Sequence, residues 1–278
     1  MLGANYSRGL REIGEEKEMS KKYKLFLGDC LDVMNQIPDK FVDCIICDLP
    51  YGTTASNWDK EIPMDKLWEQ YNRILTSIGT IILFANGIFT PRVMASNLKD
   101  YKYRWVWVKK NSTNFVHAKN RPMTKSEDIL VFSKGAMGHK SQLGDKRMTY
   151  NPQGLIKLNK IIKQGKGRFG TVAGKRPSHF SEDETFKREY SNYPTDVLTD
   201  FPEVNPNNKV HTNEKPVPLL EYLVKTYTNE GEVVLDNCMG SGTTGISCMN
   251  LNRRFIGIEK EEKYFEISKK RIEGVMNK

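Results

Sequence analysis

A carboxylate, a proline and a phenol follow directly on an apolar run in the first fifth of the chain. Residues 48–51 are Asp-Leu-Pro-Tyr, and the preceding run, 42–47, has the composition of a buried strand. Ligands of open α/β sheets bind at the carboxyl ends of the strands. Such a loop presents a hydrogen-bond acceptor, a stiff turn and an aromatic ring together. The alternative is an ordinary loop whose aspartate caps a helix.

A second group of residues has the pattern of a cofactor site. The apolar segment 233–235 leads through Asp236 into Gly240-Ser241-Gly242 and a predicted helix. Glycines at such a turn allow a ligand to approach the backbone closely. The next predicted strand ends at Glu259, whose carboxylate can accept hydrogen bonds from both hydroxyls of a ribose. The pair suits an adenosine-containing cofactor, although a lone G-x-G is equally compatible with a plain strand-to-helix turn.

Two of the five cysteines form a C-x-x-C at Cys44 and Cys47. They fall inside the apolar run, where a spacing of three directs them to opposite faces of a strand. A zinc or redox site needs a loop and, for zinc, a second pair of ligands. We therefore interpret them as buried structural thiols, and no metal is expected.

Positive charge is concentrated in the middle of the chain. The whole sequence of 278 residues has a formal charge of +9, whereas residues 109–190 alone contain 18 Lys and Arg against 7 Asp and Glu. A basic balance permits a polyanionic partner, and its concentration in one poorly patterned segment favours nucleic-acid contact over a merely solvated surface.

Alternating apolar patterns predict a doubly wound α/β sheet. The predicted strands are 23–27, 42–47, 80–85, 103–108, 129–132, 232–235 and 255–258. The predicted helices are 31–37, 64–77, 89–98, 217–227, 243–251 and 261–272. No sustained period is present between residues 135 and 208, a length that exceeds ordinary loops and indicates an inserted subdomain.

Three regions follow from this division. Residues 1–20 are predicted to be a disordered N-terminal extension. Residues 21–135 and 209–278 are predicted to form the cofactor-binding domain, and 136–208 the insertion. The N-terminus lacks a signal-peptide core and no apolar run reaches the length of a membrane span, so we expect a soluble cytoplasmic protein that does not associate with membranes.

The motifs resemble those of the beta-class DNA amino-methyltransferases. Residues 48–51 resemble that family's catalytic D-P-P-Y, and residues 236–244 resemble its cofactor motif D-P-F-x-G-S-G-T-T. The order, with the catalytic motif first, the variable region next and the cofactor motif last, is typical of the beta class. The resemblance covers residues 23–135 and 209–274. Other segments similar to family motifs are 27–30, 127–135 and 211–216.

The resemblance implies a mostly parallel seven-stranded sheet and S-adenosylmethionine as the cofactor. It implies that Asp48 and the Pro50 carbonyl accept hydrogen bonds from an exocyclic amine, and that Tyr51 stacks on a base flipped out of the duplex. The predicted cofactor-binding residues are Asp29, Cys30, Asp48, His211, Asn213, Lys215, Asp236, Cys238, Met239, Gly240, Ser241, Gly242, Thr243 and Glu259. Within that set, Asp29 and Glu259 are expected to hold the adenosine.

The insertion is the expected target-recognition region, because its cations can bind phosphates and read guanine edges. The residues predicted to contact DNA are Lys134, Lys140, Lys146, Arg147, Lys163, Lys166, Arg168, Lys175 and Arg176. The Trp105 and Trp107 pair lies in a predicted strand and is interpreted as core.

The chain departs from the family pattern at three places. Leu49 replaces the first proline of the catalytic motif, where backbone geometry is what matters. Asn237-Cys238 replaces Pro-Phe in the cofactor motif and removes an aromatic face from the cofactor pocket. Asn213 replaces a threonine that can bond the methionine end of the cofactor.

Asp at the first position of the catalytic motif usually accompanies adenine in this family, and Ser accompanies N4-cytosine. The resemblance therefore favours adenine N6 over cytosine N4 as the target. Cytosine carbon-5 chemistry needs a nucleophilic cysteine, usually after proline, and the sequence has no Pro-Cys pair.

Other functions stay open at this stage. Protein-glutamine methyltransferases present N-P-P-Y on a similar sheet, but their cofactor motif comes first; RNA is a further possible substrate. A non-catalytic DNA-binding relative with a degenerate site is the remaining alternative. The partners expected are double-stranded DNA, a cognate restriction endonuclease and a second copy of the chain.

Overall fold

The structure, a computed structural model, describes residues 22–52, 61–138, 144–164, 186–205, 207, 210 and 214–277. The predicted extension 1–20 lies outside the described residues. The strands are β1 (Tyr23–Leu27), β2 (Val42–Cys47), β3 (Leu75–Ala85), β4 (Tyr101–Thr113), β5 (Thr124–Ser133), β6 (Ile156–Gln164), β7 (Phe186–Ser191), β8 (Val197–Leu198), β9 (Val233–Asp236) and β10 (Arg254–Glu259). The helices are α1 (Cys30–Met34), α2 (Met64–Ile74), α3 (Phe89–Ser96), α4 (Val217–Tyr227), α5 (Thr243–Asn250) and α6 (Glu262–Met276).

Eight strands form one sheet in the order β1-β10-β9-β2-β3-β5-β4-β8. Every neighbouring pair is parallel except the two that involve β5, which runs against β3 and β4. The prediction of a doubly wound, mostly parallel α/β sheet is confirmed. The predicted count was seven strands, and the structure adds the two-residue β8, which is too short to leave a pattern in the sequence.

The chain forms two compact units. The smaller spans Pro152–Thr195 and contains the antiparallel pair β6 and β7; the remainder forms the larger unit. The predicted insertion, 136–208, is wider than the smaller unit, because Met148 and Leu198 are buried in the core of the larger one. The assignment of the insertion to target recognition stays a prediction.

Two apolar clusters cover the two faces of the large sheet. Cys47 belongs to one cluster and Cys44 to the other, as their spacing predicts, and both are free thiols. Trp105 and Trp107 are buried in the same cluster as Cys44, so their interpretation as core is confirmed. No helix in the described part of the chain combines the length and apolar character needed to cross a bilayer.

Two element boundaries differ from prediction for physical reasons. The helix predicted over 64–77 ends at Ile74, because Leu75 already has the extended backbone that opens β3. The hairpin of β4 and β5 extends well beyond the predicted 103–108 and 129–132. Its outer residues are polar and exposed on both faces, so they lack the alternation that reveals a strand lying on a core.

Candidate active site

The carboxyl ends of β1, β2, β9 and β10 meet at one edge of the sheet and border a cavity of about 490 Å³. This volume is in the range of small-molecule and cofactor sites. The predicted site residues that line the cavity are Asp29, Cys30, Asp48, Pro50, Tyr51, Lys215, Asp236, Cys238, Met239, Gly240, Ser241, Thr243 and Glu259. The two motifs, almost 200 residues apart in sequence, are thus brought together by the parallel order of the strands.

The Asp48 carboxylate lies in a network of hydrogen bonds and ion pairs. Its Oδ1 accepts from the Tyr51 hydroxyl at 3.0 Å, and its Oδ2 accepts from Lys215 Nζ at 2.7 Å. Lys215 Nζ also lies 2.8 Å from Glu127 Oε1, and Lys109 Nζ lies 2.6 Å from Glu127 Oε2. The four charged groups, which we call the charge cluster, fix the catalytic loop of β2 against β5 and β4.

Glu127 was not among the predicted site residues. Its side chain is only 4% exposed, and it accepts a hydrogen bond from the Tyr51 hydroxyl at 3.2 Å. A carboxylate is almost never buried unless it is paired. The available signals were its place at the start of the segment 127–135, which is similar to a family motif, and its position two residues before the apolar segment 129–132. Its partners depend on the pairing of β5 with neighbouring strands, which the sequence pattern does not specify.

Burial and ion pairing act against each other in this cluster. Burial raises the pKa of Asp48, and the Lys215 ammonium limits that rise. Burial also favours neutral Glu127, but Lys215 and Lys109 outweigh it and lower the pKa of Glu127. Burial opposes the charge of Lys215, whereas the two carboxylates raise its pKa. Burial and the adjacent acids raise the pKa of Tyr51 well above 10.0, so its hydroxyl remains a donor.

The Tyr51 ring is fixed as well as its hydroxyl. It stacks on Phe89, with ring centroids 4.6 Å apart and planes inclined by 24°. Phe89 is fully buried at the start of α3. One face of the phenol is therefore covered by protein.

Glu259 organises the glycine turn on the opposite side of the cavity. It accepts from the backbone N–H of Gly240 at 2.8 Å and of Glu261 at 2.9 Å, and burial raises its pKa. Asp29 caps α1 through the backbone N–H of Leu31 and lies 3.1 Å from Lys260 Nζ. Both carboxylates retain lone pairs for further donors.

The Asp236 carboxylate fixes the conformation of the same turn through two hydrogen bonds. Its two oxygens accept from the Cys238 backbone N–H at 3.1 Å and the Thr244 hydroxyl at 2.7 Å. Burial raises its pKa to about 7 despite these donors. The side chain holds the strand end of β9 against the start of α5, and so shapes the floor of the cavity.

Two of the departures from the family motifs, at residue 49 and at residues 237–238, lie in the core or in the cavity wall. Leu49 is 3% exposed and packs in the core below the catalytic loop. Asn237 is buried, and its Oδ1 accepts from the Tyr71 hydroxyl at 2.6 Å. Cys238, in place of an aromatic residue, faces the cavity with Cys30. The substituted residues thus complete the core and the cavity wall.

Among the predicted cofactor residues that the structure describes, Gly242 is the one that does not line the cavity. It has φ 77° in the left-handed region and caps α5, and a Cβ atom there would lie 2.8 Å from the Ser268 Cβ of α6. The glycine is therefore required for close packing of the turn against a helix.

Gly242→Ala should lower the free energy of unfolding by about 1–3 kcal/mol, because it combines overpacking with a left-handed backbone. Urea denaturation measures the change. Gly274→Ala is the matched control, since that glycine lies inside α6 with no neighbour within 4 Å of the new Cβ and alanine favours helix. Equal stability of the two variants would contradict the packing argument.

The remaining predicted residues fall into three groups. Lys134, Lys146 and Arg147 lie at or beyond the carboxyl end of antiparallel β5, at the edge of the sheet opposite Asp48; there Lys134 Nζ donates to the Asn72 carbonyl. Lys163 lies in β6 of the smaller unit. Outside the described residues are His211, Asn213, Lys140, Lys166, Arg168, Lys175 and Arg176.

A family model described as DNA methylase, N6_N4_Mtase, matches residues 42–270. The type II methyltransferase M.HpaI of Haemophilus parainfluenzae is 26% identical over 91% of this chain and 75% of its own length. The type II methyltransferase M1.MboII of Moraxella bovis is 27% identical over 87% of this chain and 93% of its own length.

Two solved structures have a similar fold. The complex of M1.HpyAVI with SAM aligns with a TM-score of 0.56 at 22% identity, covering 90% of this chain and 98% of that one. The cytosine-N4-specific PvuII DNA methyltransferase aligns with a TM-score of 0.61 at 13% identity, covering 92% of this chain and 91% of that one.

Proposed function

The chain belongs to the N6/N4 DNA methylase family, and on that premise we propose that it methylates the N6 amine of adenine in double-stranded DNA. It is a site-specific DNA methyltransferase that uses S-adenosylmethionine. The choice of adenine and the extrusion of the base from the duplex are the proposed part. The observation that supports the choice of adenine is the Asp48 carboxylate, held at the cavity by Tyr51 and Lys215.

The residues of the cavity suit this cofactor. Glu259 and Asp29 stand at the ends of adjacent strands with acceptor capacity for hydroxyl groups, and Gly240 exposes backbone to the cavity at a turn. We propose that the two carboxylates hold the adenosine and that the turn over 239–241 lines the methionine half. When bound, S-adenosylmethionine supplies an electrophilic methyl group on its sulfonium.

The catalytic loop would act by orienting the amine. An aromatic amine is a poor nucleophile because its lone pair is delocalised into the ring. Acceptors at Asp48 and the Pro50 carbonyl favour a tetrahedral nitrogen and direct its lone pair toward the methyl. Positive charge that develops on the nitrogen faces these acceptors, and the fixed geometry supplies much of the rate.

Tyr51 would hold the base. Its ring already stacks on Phe89, so a base enters against the other face of a ring that does not have to be ordered first. The base must leave the helix to reach this cavity, because its reacting nitrogen is inaccessible within stacked duplex DNA. Preorganisation of the ring lowers the cost of that step.

Cytosine N4 is the second candidate target. The fold resembles that of a cytosine-N4-specific enzyme, and the chemistry at an exocyclic amine is the same. Asp48 favours adenine by the resemblance of its motif. We extend to this chain the proposal of a partner restriction endonuclease, because its relatives are named type II methyltransferases.

The target is identified by incubating the protein with labelled S-adenosylmethionine and unmethylated DNA, followed by digestion to nucleosides and chromatography. N6-methyladenine is the expected product. N4-methylcytosine would refute the choice of adenine and retain the family chemistry. Absence of transfer to any DNA would refute the proposed activity and favour a non-catalytic relative or another substrate.

Glu259→Gln should raise the Kd for S-adenosylmethionine by about 10–100-fold, because hydrogen bonds to a charged acceptor are each worth roughly 1.5–3 kcal/mol. Titration calorimetry measures the change. Glu266→Gln, an exposed change on α6, should leave the Kd unaltered. A Kd for Glu259→Gln within twofold of the unmodified protein would remove Glu259 from the proposed cofactor site.

A further inference from the structure

The outer part of the β4–β5 hairpin, residues 109–125, stands at the catalytic edge of the sheet. We call this segment the outer hairpin. Trp107 pairs with Glu127 at its base, and the register continues outward to Thr113 opposite Thr124. Since Glu127 belongs to the charge cluster, the hairpin rises directly from the candidate active site. The three residues from Glu127 to Thr124 extend about 10 Å at ~3.3 Å per residue.

The outer hairpin is strongly basic. Its 17 positions contain five Lys or Arg residues and no acid. Lys109 pairs with Glu127 at the base, whereas Lys110, Lys119, Arg121 and Lys125 are exposed. On a neighbouring segment, Glu203 accepts from the backbone N–H groups of Lys110 and Asn111. A polyanion that approached the cavity would therefore meet cations first.

Two apolar side chains form the tip of this basic segment. Phe115 is 80% exposed and Val116 is 89% exposed. Isolated exposed apolar residues are common on protein surfaces, so exposure alone indicates little. An aromatic and a branched side chain side by side, surrounded by cations and next to a catalytic cavity, form a more specific arrangement.

The tip has a defined conformation rather than an extended loop. Asn114 has φ 68°, in the left-handed region, and its Nδ2 donates to Thr124 Oγ1 at 2.9 Å. The backbone N–H of His117 donates to the Asn114 carbonyl at 3.0 Å, and that of Ala118 to the Phe115 carbonyl at 2.9 Å. These bonds present Phe115 and Val116 on a short 3-10 turn, so little order has to be gained on binding.

We propose that the outer hairpin is a DNA-binding wedge that inserts Phe115 and Val116 into the duplex beside the extruded base. The proposal rests on the proposed function, because it needs DNA at this edge. Apolar side chains inserted between base steps offset the loss of stacking, and the exposed cations neutralise flanking phosphates. The predicted DNA contacts Lys134, Lys146 and Arg147 lie at the opposite edge of the sheet.

The wedge is tested with Phe115→Ala and a duplex that carries a fluorescent adenine analogue at the target position. The recognition sequence for this duplex is first determined by mapping the methylated positions in the DNA of a host that expresses the protein. If the target base is cytosine, a fluorescent cytosine analogue replaces the adenine analogue. Leu98→Ala is the matched control, because Leu98 is 67% exposed and follows α3 at the opposite edge.

The unmodified protein and Leu98→Ala should give the same fluorescence increase on base extrusion. Phe115→Ala should lose most of that increase and bind matched duplex about 10-fold more weakly, in keeping with the effect of removing one aromatic stacking contact. Its Kd for S-adenosylmethionine and its melting temperature should not change. The defect should shrink on a duplex whose target base is mismatched, because unpairing then costs less.

Two results would overturn the wedge. One is full base extrusion by Phe115→Ala; a change of sedimentation in that variant would then make the tip a contact between two copies of the chain. The other is an equal loss on matched and mismatched duplex, which would indicate a general contact. If the unmodified protein binds no duplex DNA, both the wedge and the proposed function are refuted. If Phe115→Ala methylates DNA and extrudes the base normally, only the wedge is refuted.

Discussion

Asp48→Ala should reduce the rate of methyl transfer by about a thousandfold or more while S-adenosylmethionine still binds. The carboxylate is the only acidic acceptor supplied by the catalytic loop, residues 48–51. Loss of one preorganised group that stabilises developing charge costs about 10²–10³ in kcat. The variant also removes the acceptor for the Tyr51 hydroxyl and one partner of Lys215, so the ring and the loop lose part of their orientation.

Single-turnover transfer from labelled cofactor measures the rate, and calorimetry measures the Kd for S-adenosylmethionine. Asp32→Ala, an exposed change on α1, should retain full activity. Asp48→Asn separates charge from shape, because the amide keeps the volume but offers a single acceptor oxygen. We expect it to be nearly as inactive as Asp48→Ala. Full activity in either Asp48 variant would remove Asp48 from the mechanism.

Glu127→Gln should destabilise the protein by roughly 3–5 kcal/mol, the usual cost of removing one partner of a buried ion pair. The variant leaves Lys109 without its carboxylate and leaves Lys215 with Asp48 alone. Lys215 would then be drawn toward Asp48 and compete with the amine for its lone pairs. We therefore expect a lower kcat as well, with the Kd for S-adenosylmethionine unchanged.

The pH dependence of the stability tests whether the charge of Glu127 is the cause of this destabilisation. The pKa of Glu127 is lowered in the folded protein, so its contribution is fully present above the ordinary value of 4.5 and is lost as the pH falls through the folded pKa. The stability difference between the unmodified protein and Glu127→Gln should therefore be large at pH 7 and shrink below pH 4.5. Urea unfolding at several pH values measures it.

Two variants complete this test. Glu69→Gln, an exposed change on α2, should show no such difference. The double variant Glu127→Gln with Lys109→Gln should recover part of the stability, because it removes an unpaired charge together with its former partner. If Glu127→Gln were as stable as the unmodified protein at pH 7, the charge cluster would not contribute to stability.

The site residues that end or follow parallel strands could be predicted from the sequence. Asp48, Asp236 and Glu259 each follow an apolar segment that reads as a strand, and the ends of parallel strands meet at one edge. The sheet order was therefore not needed to bring these residues together. The same argument does not apply to Glu127, which lies near the start of an antiparallel strand. It is placed at the site by the pairing of β5 with β3 and β4.

The segments that the sequence left without structure have a common physical property. The outer strands of the β4–β5 hairpin contribute no residue to the two apolar clusters. Without a core face, selection does not impose the alternation on which strand prediction depends. Leu49 illustrates the converse, because a residue that departs from a catalytic motif turns out to be a core residue.

The charge cluster has a consequence for the way salt affects the enzyme. Two carboxylates and two ammonium groups sum to zero formal charge, and they are largely shielded from solvent. Under the proposed function, a neutral base would enter such a site without carrying a counter-ion in or displacing one. The cations of the outer hairpin, by contrast, exchange bound counter-ions for phosphates. Ionic strength therefore acts on the association of the enzyme with DNA, while the methyl-transfer step within the assembled complex is insulated from it.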